Sequence, residues 1–162
     1  MRRVVLALSA AFLLAAPARA ADRLLDLRQP EVVAQALREG GFRGEVKTNK
    51  AGEPYVLSGV NGSDFTVEFY ACEGVKNCAS YQFSSWYKAE PLFTPTFAND
   101  WNREKRFLKV SVGSDGELNE YMDFTAIGKT TYDNFMDSVD WYKTMDASLA
   151  RFIEDRRKAA GK

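Results

Sequence analysis

Two cysteines, Cys72 and Cys78, stand at the facing ends of two alternating segments that are rich in aromatic residues. An antiparallel hairpin with Cys72 opposite Cys78 pairs the large apolar side chains on one face: Val67 with Phe83 and Phe69 with Tyr81. In this register both thiols lie together on the other face. One register thus satisfies a pleated sheet and a cross-link, so the sequence predicts a β-hairpin closed by a disulfide.

The first twenty residues have the pattern of a secretory signal peptide. Arg2 and Arg3 precede an apolar run over residues 4–16, and an Ala-x-Ala site ends at Ala20. The run is shorter than the roughly 20 residues that a membrane span needs. We therefore expect cleavage after Ala20 and a periplasmic or secreted chain with no stable membrane insertion after cleavage. An uncleaved anchor is the alternative.

Residues 21–162 are predicted to form a single domain. The chain has 22 basic and 22 acidic residues, and three of the arginines lie in the leader. Cleavage would therefore leave a net charge of −3. Such a mildly acidic surface has no general attraction for nucleic acid or anionic lipid. We therefore expect no nucleic-acid partner.

The cysteine pair has a structural and a redox interpretation. An exported chain meets an oxidising compartment, where paired cysteines normally form a structural disulfide. The spacing is Cys-x5-Cys rather than Cys-x-x-Cys, and Glu73 disfavours a thiolate at Cys72. Lys76 offsets part of that effect. We favour the structural disulfide and keep a thiol redox sensor as the alternative.

Hydrophobic periodicity predicts an α+β fold in which helices pack on one face of an antiparallel sheet. The predicted order is helix, four short strands, helix, two strands and a long C-terminal helix. The elements cover residues 30–40, then 44–48, 55–60, a strand ending at 72 and one starting at 78, then a helix from 94, a hairpin over 108–122 and a helix over 130–158. Asn61-Gly62 predicts a hairpin turn, and Ser114-Asp115-Gly116 predicts a three-residue loop that sets Val112 opposite Leu118. The apolar stripe of the long helix is interpreted as packing on the sheet, with a dimer seam as the alternative.

The chain contains no histidine, which excludes serine–histidine and cysteine–histidine mechanisms and histidine-ligated zinc. Glu117, Glu120 and Asp123 share one predicted strand, but Glu120 points to the opposite face from the other two. A carboxylate-dependent hydrolase survives only if two carboxylates converge in a cleft. The candidates are Glu68, Asp100, Glu117 and Asp123. We expect no enzyme, no cofactor and no metal.

One segment concentrates groups that commonly anchor interfaces: Asn99, Trp101, Asn102 and Arg106. We take these four residues as the candidate binding surface. In the structural alternative Trp101 fills the core, while Asn99 and Asn102 tie the chain through backbone hydrogen bonds.

Several short motifs follow one another along most of the mature chain. They are Phe69-Tyr70-Ala71-Cys72, Cys78 with Gln82-Phe83, Asn99-Asp100-Trp101-Asn102 with Arg106-Phe107, and Asp115-Gly116-x-Leu118 with Asp123. In this order and spacing the chain resembles the YbjN-like domain family. The resemblance implies a bacterial sensory-transduction regulator with a fold like that of type III secretion chaperones. Such a fold presents sheet and helix surfaces to a partner peptide, usually as a dimer.

The family carries no established catalytic residues, so none is transferred, and fold analogy alone does not establish chaperone activity. The sequence therefore predicts a non-enzymatic periplasmic module, regulatory or chaperone-like, that binds a protein or peptide partner. A homodimer is compatible with this prediction. The redox sensor and the carboxylate-dependent hydrolase remain as alternatives.

Overall fold

The computed structural model describes residues 23–161, so the predicted signal peptide lies outside the described residues. Within this range the chain forms three helices and eight strands. The helices are α1 (Pro30–Glu39), α2 (Pro95–Glu104) and α3 (Tyr132–Ala159). The strands are β1 (Leu24–Leu25), β2 (Glu45–Thr48), β3 (Pro54–Val60), β4 (Ser63–Tyr70), β5 (Ser80–Tyr87), β6 (Lys109–Val112), β7 (Leu118–Thr125) and β8 (Thr130–Thr131).

Six of these strands form one antiparallel sheet in the order β2-β3-β4-β5-β7-β6. The predicted α+β class and the predicted order of the main elements are therefore confirmed. The structure adds a small ribbon in which β1 pairs with β8. Sequence reasoning missed this ribbon because a strand of two residues has no periodicity to recognise. The likeness to type III secretion chaperones stays a prediction.

The predicted hairpin registers are present in the sheet. Val67 pairs with Phe83 and Phe69 with Tyr81, so β4 and β5 meet as the cysteine register requires. The other two registers follow the turn residues: Asn61-Gly62 joins β3 to β4 with Val56 opposite Val67, and Val112 lies opposite Leu118 across the three-residue loop. Gly116 has the positive φ of 84° that this loop demands.

The cysteines themselves depart from the predicted geometry. Their sulfur atoms are bonded at 2.10 Å, which confirms the disulfide. However, the prediction that both thiols lie on the face opposite the apolar residues is wrong, because Cys78 is fully buried in the hydrophobic core. β4 ends at Tyr70 and β5 begins at Ser80, so strand alternation stops before it reaches either cysteine, and Ala71 and Asn77 take positive φ values of 51° and 53° in the loop.

The core lies between the sheet and all three helices. Side chains at alternate positions of the strands point into it, and β3 shows this as strict alternation of buried and half-buried residues. Around Phe83 lie the rings of Phe65, Phe124, Phe135 and Tyr142, with centroids 5.1–6.2 Å away. Such rings favour edge-to-face contact, which stabilises the pair beyond simple burial.

Helix α3 packs its apolar stripe on the sheet, as the favoured interpretation predicts. Thr131 begins this helix by accepting a hydrogen bond from the backbone of Asn134, and Thr94 does the same for α2 with Phe97. The buried members of the stripe are Phe135, Val139, Tyr142, Met145, Leu149 and Ile153. No helix between residues 23 and 161 is both long enough and apolar enough to cross a membrane.

Candidate functional site

The helices cover one face of the six-stranded sheet, and the other face, which we call the open face, has no helix of residues 23–161 on it. Alternation along the strands brings polar and aromatic side chains to this face. They are Tyr55, Leu57, Thr66, Glu68, Tyr70, Gln82, Trp86, Tyr121 and Asp123. Trp86 is 55% exposed and Tyr70 is 43% exposed, so this face presents aromatic surface to the solvent.

A hydrogen-bonded chain of side chains crosses three strands of the open face. Gln82 donates to Asp123 at 2.7 Å and accepts from the Tyr70 hydroxyl at 3.2 Å. The same hydroxyl lies 2.8 Å from Oε2 of Glu68. Partial burial, followed by the hydrogen bond to Glu68, raises the pKa of Tyr70, so the phenol stays a neutral donor.

A groove of about 380 Å³ opens on the same face, beside the β2–β3 turn. Its walls combine the rings of Tyr55 and Tyr70 with the carboxylates of Glu53 and Glu68. Aromatic rings beside carboxylates attract a cationic side chain through cation–π and ionic contacts. The groove is therefore chemically suited to a lysine or arginine side chain carried by a partner.

Of the four carboxylates of the hydrolase hypothesis, Glu68 and Asp123 lie on the open face, and Glu117 directly precedes β7. Gln82 lies between Glu68 and Asp123 and bonds Asp123 directly, so these two carboxylates do not face each other across a cleft. Asp100 instead forms ion pairs with Arg103 and Arg156. Within the described part of the chain no three acidic or cysteine side chains are grouped so that they could hold a metal ion.

The four residues of the candidate binding surface are divided between the core and the surface. Trp101 is fully buried, and its indole N–H donates to the backbone oxygen of Leu108 at 3.0 Å. Asn102 is half-buried, whereas Asn99 and Arg106 are exposed. The structure therefore gives Trp101 the core position that the structural alternative describes, and only Asn99 and Arg106 project freely.

Arg106 belongs to an exposed aromatic cluster instead. Its guanidinium lies 5.2 Å from the ring of Phe107, and that ring lies 4.6 Å from the indole of Trp141 on α3. Phe107 and Trp141 are 44% and 41% exposed. Phe107 also has a φ of 63°, a conformation that costs a bulky residue roughly 1–2 kcal/mol.

The sequence model of one protein family, YbjN, matches residues 29–154, most of the chain. The chain belongs to the YbjN family. The family is described as a putative bacterial sensory transduction regulator. No curated protein matches the chain.

The YbjN match includes a buried acidic cluster that sequence reasoning missed. Glu120 on β7 is fully buried, and its Oε1 accepts a hydrogen bond of 2.8 Å from the Tyr142 hydroxyl on α3. Asp146, one turn further along α3, is 8% exposed and accepts from the side chain of Asn61 at 2.7 Å. The cluster thus ties β7 and the β3–β4 turn to the same stretch of α3.

The surroundings of Glu120 favour its neutral form. Oε2 of Glu120 receives no donor from a neighbouring hydroxyl or amide, and the carboxyl of Asp146 is its remaining neighbour. Burial, followed by the charge of Asp146, raises the pKa of Glu120 to about 8. Glu120 is therefore mostly protonated at neutral pH.

A signal for this cluster was present in the chain. The register of the β6–β7 hairpin alone places Glu120 on the same face as Leu118 and Met122, which is the core face. Helical spacing places Tyr142 and Asp146 one turn apart on α3. The sequence analysis placed Glu120 on the strand face opposite Glu117 and Asp123 but predicted no contact for it in the core.

Proposed function

We propose that this YbjN protein is a non-enzymatic regulatory or chaperone-like module that binds a protein or peptide partner through the open face of its sheet. The observation that carries the proposal is the groove between Tyr55, Tyr70, Glu53 and Glu68, on a face that no helix of the described residues covers. Recognition surfaces combine exposed aromatic rings with a few placed polar groups, and this groove has both. The regulatory description of the family supports the same reading.

The charge of the groove indicates the chemistry of the partner. Two carboxylates, Glu53 and Glu68, line it, and Asp123 lies two strands away from Glu68 on the same face. A partner segment with lysine or arginine side chains would pair with these groups and cover the tyrosine rings. We therefore propose a basic peptide segment as the ligand of the open face.

We propose a periplasmic location for the protein. The support is the signal-peptide pattern over residues 1–20, together with a Cys72–Cys78 disulfide, a bond that persists in oxidising compartments. The disulfide is proposed to hold shape rather than to sense redox state, because Cys78 is fully buried and thiol exchange requires access. A reduction potential above roughly −300 mV would instead favour the sensor.

A charge-reversal experiment tests the open face. The mature chain and the Glu68→Lys variant are used to capture partners from periplasmic extract in non-reducing buffer. The expected result is a partner that binds the wild type and is lost from the variant, because a basic segment is repelled by the new charge. Glu104→Lys makes the same charge change at an exposed position on α2 and should retain the partner. Equal retention by both variants would contradict binding at the open face.

A second candidate surface lies at the end of α2. The exposed pair Phe107 and Trp141, with Arg106 beside it, keeps part of the predicted Asn99–Arg106 surface available to a partner. The observation in its favour is the left-handed backbone of Phe107, since such conformations concentrate at functional sites. Loss of the captured partner from Trp141→Ala, with retention by Glu68→Lys, would favour this surface over the open face.

A further inference from the structure

The two edges of the six-stranded sheet differ in how their backbone is satisfied. At one edge, β6, the side-chain amide of Asn102 donates to the backbone oxygen of Val110 at 2.9 Å and accepts from its N–H at 3.0 Å. An edge strand closed in this way offers no free groups for another strand at that position. The edge formed by β2 has no such cover within the described residues.

Hydrogen bonding to β3 determines which groups of β2 are free. The N–H of Asn49 donates to Glu53 across the turn, so Asn49 is a hydrogen-bonded position, and the two-residue period of the ladder extends this to Lys47 and Glu45. The backbone groups of Val46 and Thr48 consequently point away from the sheet. No described residue bonds them, whereas Arg38 bonds the backbone oxygen of Gly44 at the start of the same edge.

We propose that this edge pairs with the same edge of a second copy of the chain, in antiparallel register about a two-fold axis that places Val46 opposite Val46 of the second copy. In that register the two valines exchange both backbone hydrogen bonds. Thr48 of each copy lies opposite Gly44 of the other, which is buried beside α1 with its oxygen bonded by Arg38, so the central valine pair provides the main backbone contact. A two-fold axis requires a self-complementary strand.

The charges of β2 meet this requirement. Counting outward from the central valine pair, Glu45 of each copy lies opposite Lys47 of the other. Both side chains lie on the open face, since their partners in β3 are Leu57 and Tyr55, and they are 51% and 40% exposed. Within one copy they already form an ion pair of 3.1 Å. Pairing of two copies would bring two glutamates and two lysines together with alternating sign. If each strand shifted by one residue, Lys47 would lie opposite Lys47, or Glu45 opposite Glu45, and the like charges would repel.

The surroundings of the edge leave room for a second strand. A groove of about 350 Å³ runs along the inner side of β2, between Val46, Thr48, Pro30 and the tip of the disulfide loop at Val75. Val75 is 55% exposed there. The disulfide holds this loop beside the groove, so the second copy would cover an apolar side chain that is otherwise in water.

The contact is small. A four-residue strand with one loop tip covers less than the roughly 800 Å² per partner that a standard stable interface buries. The dimer is therefore expected to be in reversible equilibrium with the monomer and to form as the protein concentration rises. Its sheet would have twelve strands, twice the six of one copy, and would bring the two open-face grooves beside the axis, because Tyr55 lies opposite Lys47.

Charge variants of β2 test this pairing. The mass of the mature chain is measured by sedimentation equilibrium from micromolar to millimolar concentration, with Glu45→Lys, Lys47→Glu and the double swap alongside. Each single variant places like charges opposite each other at two symmetric positions. The protein concentration at which its dimer forms should be at least tenfold higher than for the wild type. The double swap restores opposite charges and should restore the dimer. All three changes are at exposed positions, and an unchanged thermal midpoint confirms that the variants fold.

An equimolar mixture of the two single variants makes the test specific. Every lysine at positions 45 and 47 of one variant would then face a glutamate of the other, so a heterodimer should form although neither variant pairs with itself. Three results would overturn the proposal: a wild type that stays monomeric at millimolar concentration, a dimer insensitive to all three changes, or a monomer whose β2 edge binds an extended peptide instead.

Discussion

The side-chain amide of Asn102 pairs with both backbone groups of Val110 and so takes the place of a further strand at the β6 edge. The N–H and the carbonyl of Val110 face away from β7, and an unpaired backbone group that is shielded from water is costly. The architecture therefore explains two of the three residues Asn99, Trp101 and Asn102: Trp101 fills the core and Asn102 closes the sheet. Asn99 has no comparable contact in the described residues.

Replacing Asn102 should destabilise the fold and expose the edge. We expect Asn102→Ala to lower the free energy of unfolding by about 1–3 kcal/mol, because Val110 loses a donor and an acceptor together. Urea denaturation measures this loss. Asn99→Ala is the matched control and should stay within about 0.5 kcal/mol of the wild type. Equal effects of the two changes would show that the pairing with Val110 is not stabilising.

Replacing Trp101 should remove core packing. Trp101→Ala is expected to lower the free energy of unfolding by about 3–5 kcal/mol, because the substitution would leave a cavity in the core. Rings such as Phe152, whose centroid is 5.5 Å from that of Trp101, would line this cavity. The unfolding midpoint in guanidinium chloride reports this change. Trp86→Ala, at an exposed site on the open face, should cost less than about 1 kcal/mol. A small loss for Trp101→Ala would contradict its core role.

The stability of the protein should depend on pH through Glu120. Its pKa is raised from 4.5 to about 8 on folding, so between these values the folded chain binds more protons than the unfolded chain. By linkage, the contribution of Glu120 to stability is full below pH 4.5 and is lost as pH rises toward 8, by at most about 1.4 kcal/mol per pH unit.

The Glu120→Gln variant isolates this effect. A neutral amide can still accept from Tyr142 and does not titrate, so the variant should gain stability relative to the wild type as pH rises from 5 to 8, in line with the linkage relation. Unfolding free energies of both proteins at several pH values provide the measurement. Asp123→Asn, an exposed change on the same strand, should show no such trend. A variant that gains no stability relative to the wild type between pH 5 and pH 8 would refute the raised pKa.

Removing the disulfide should lower the free energy of unfolding only modestly. Cys72 and Cys78 close a short loop, and the chain-entropy relation gives about 2 kcal/mol for its cross-link. The double Cys→Ala variant, measured by urea unfolding, should lose about this amount. Reduced wild type should behave alike. A loss far above 2 kcal/mol would mean that the loop, rather than the cross-link alone, is disrupted.

The hairpins were predictable because local rules determine them. Asn61-Gly62 and Gly116 supply the backbone conformations of their turns, and alternation then leaves one register that buries the apolar side chains. The cysteine hairpin followed the same logic as far as Tyr70 and Ser80. Beyond these residues Ala71 and Asn77 leave the strand conformation, which no period of two can predict.

The candidate site was less predictable. The sequence shows that Trp101, Asn102 and Glu120 are chemically suited to recognition or catalysis, but exposure depends on what lies across the core. Glu120 meets Tyr142 and Asp146 only because α3 crosses β7 there, and a contact between residues 22 positions apart leaves no local pattern. The open-face groove likewise depends on the strand order, which neighbouring turns do not fully determine.

The sequence by itself determined the helices, the hairpin registers and the disulfide of this YbjN protein, since each depends on residues close along the chain. Only the tertiary structure decided which face of the sheet is bare, which edge is closed by Asn102, and that Glu120 is buried beside a second carboxyl. The physical reason is that burial, free backbone groups and pKa values are properties of the packed assembly, set by side chains that are distant in sequence.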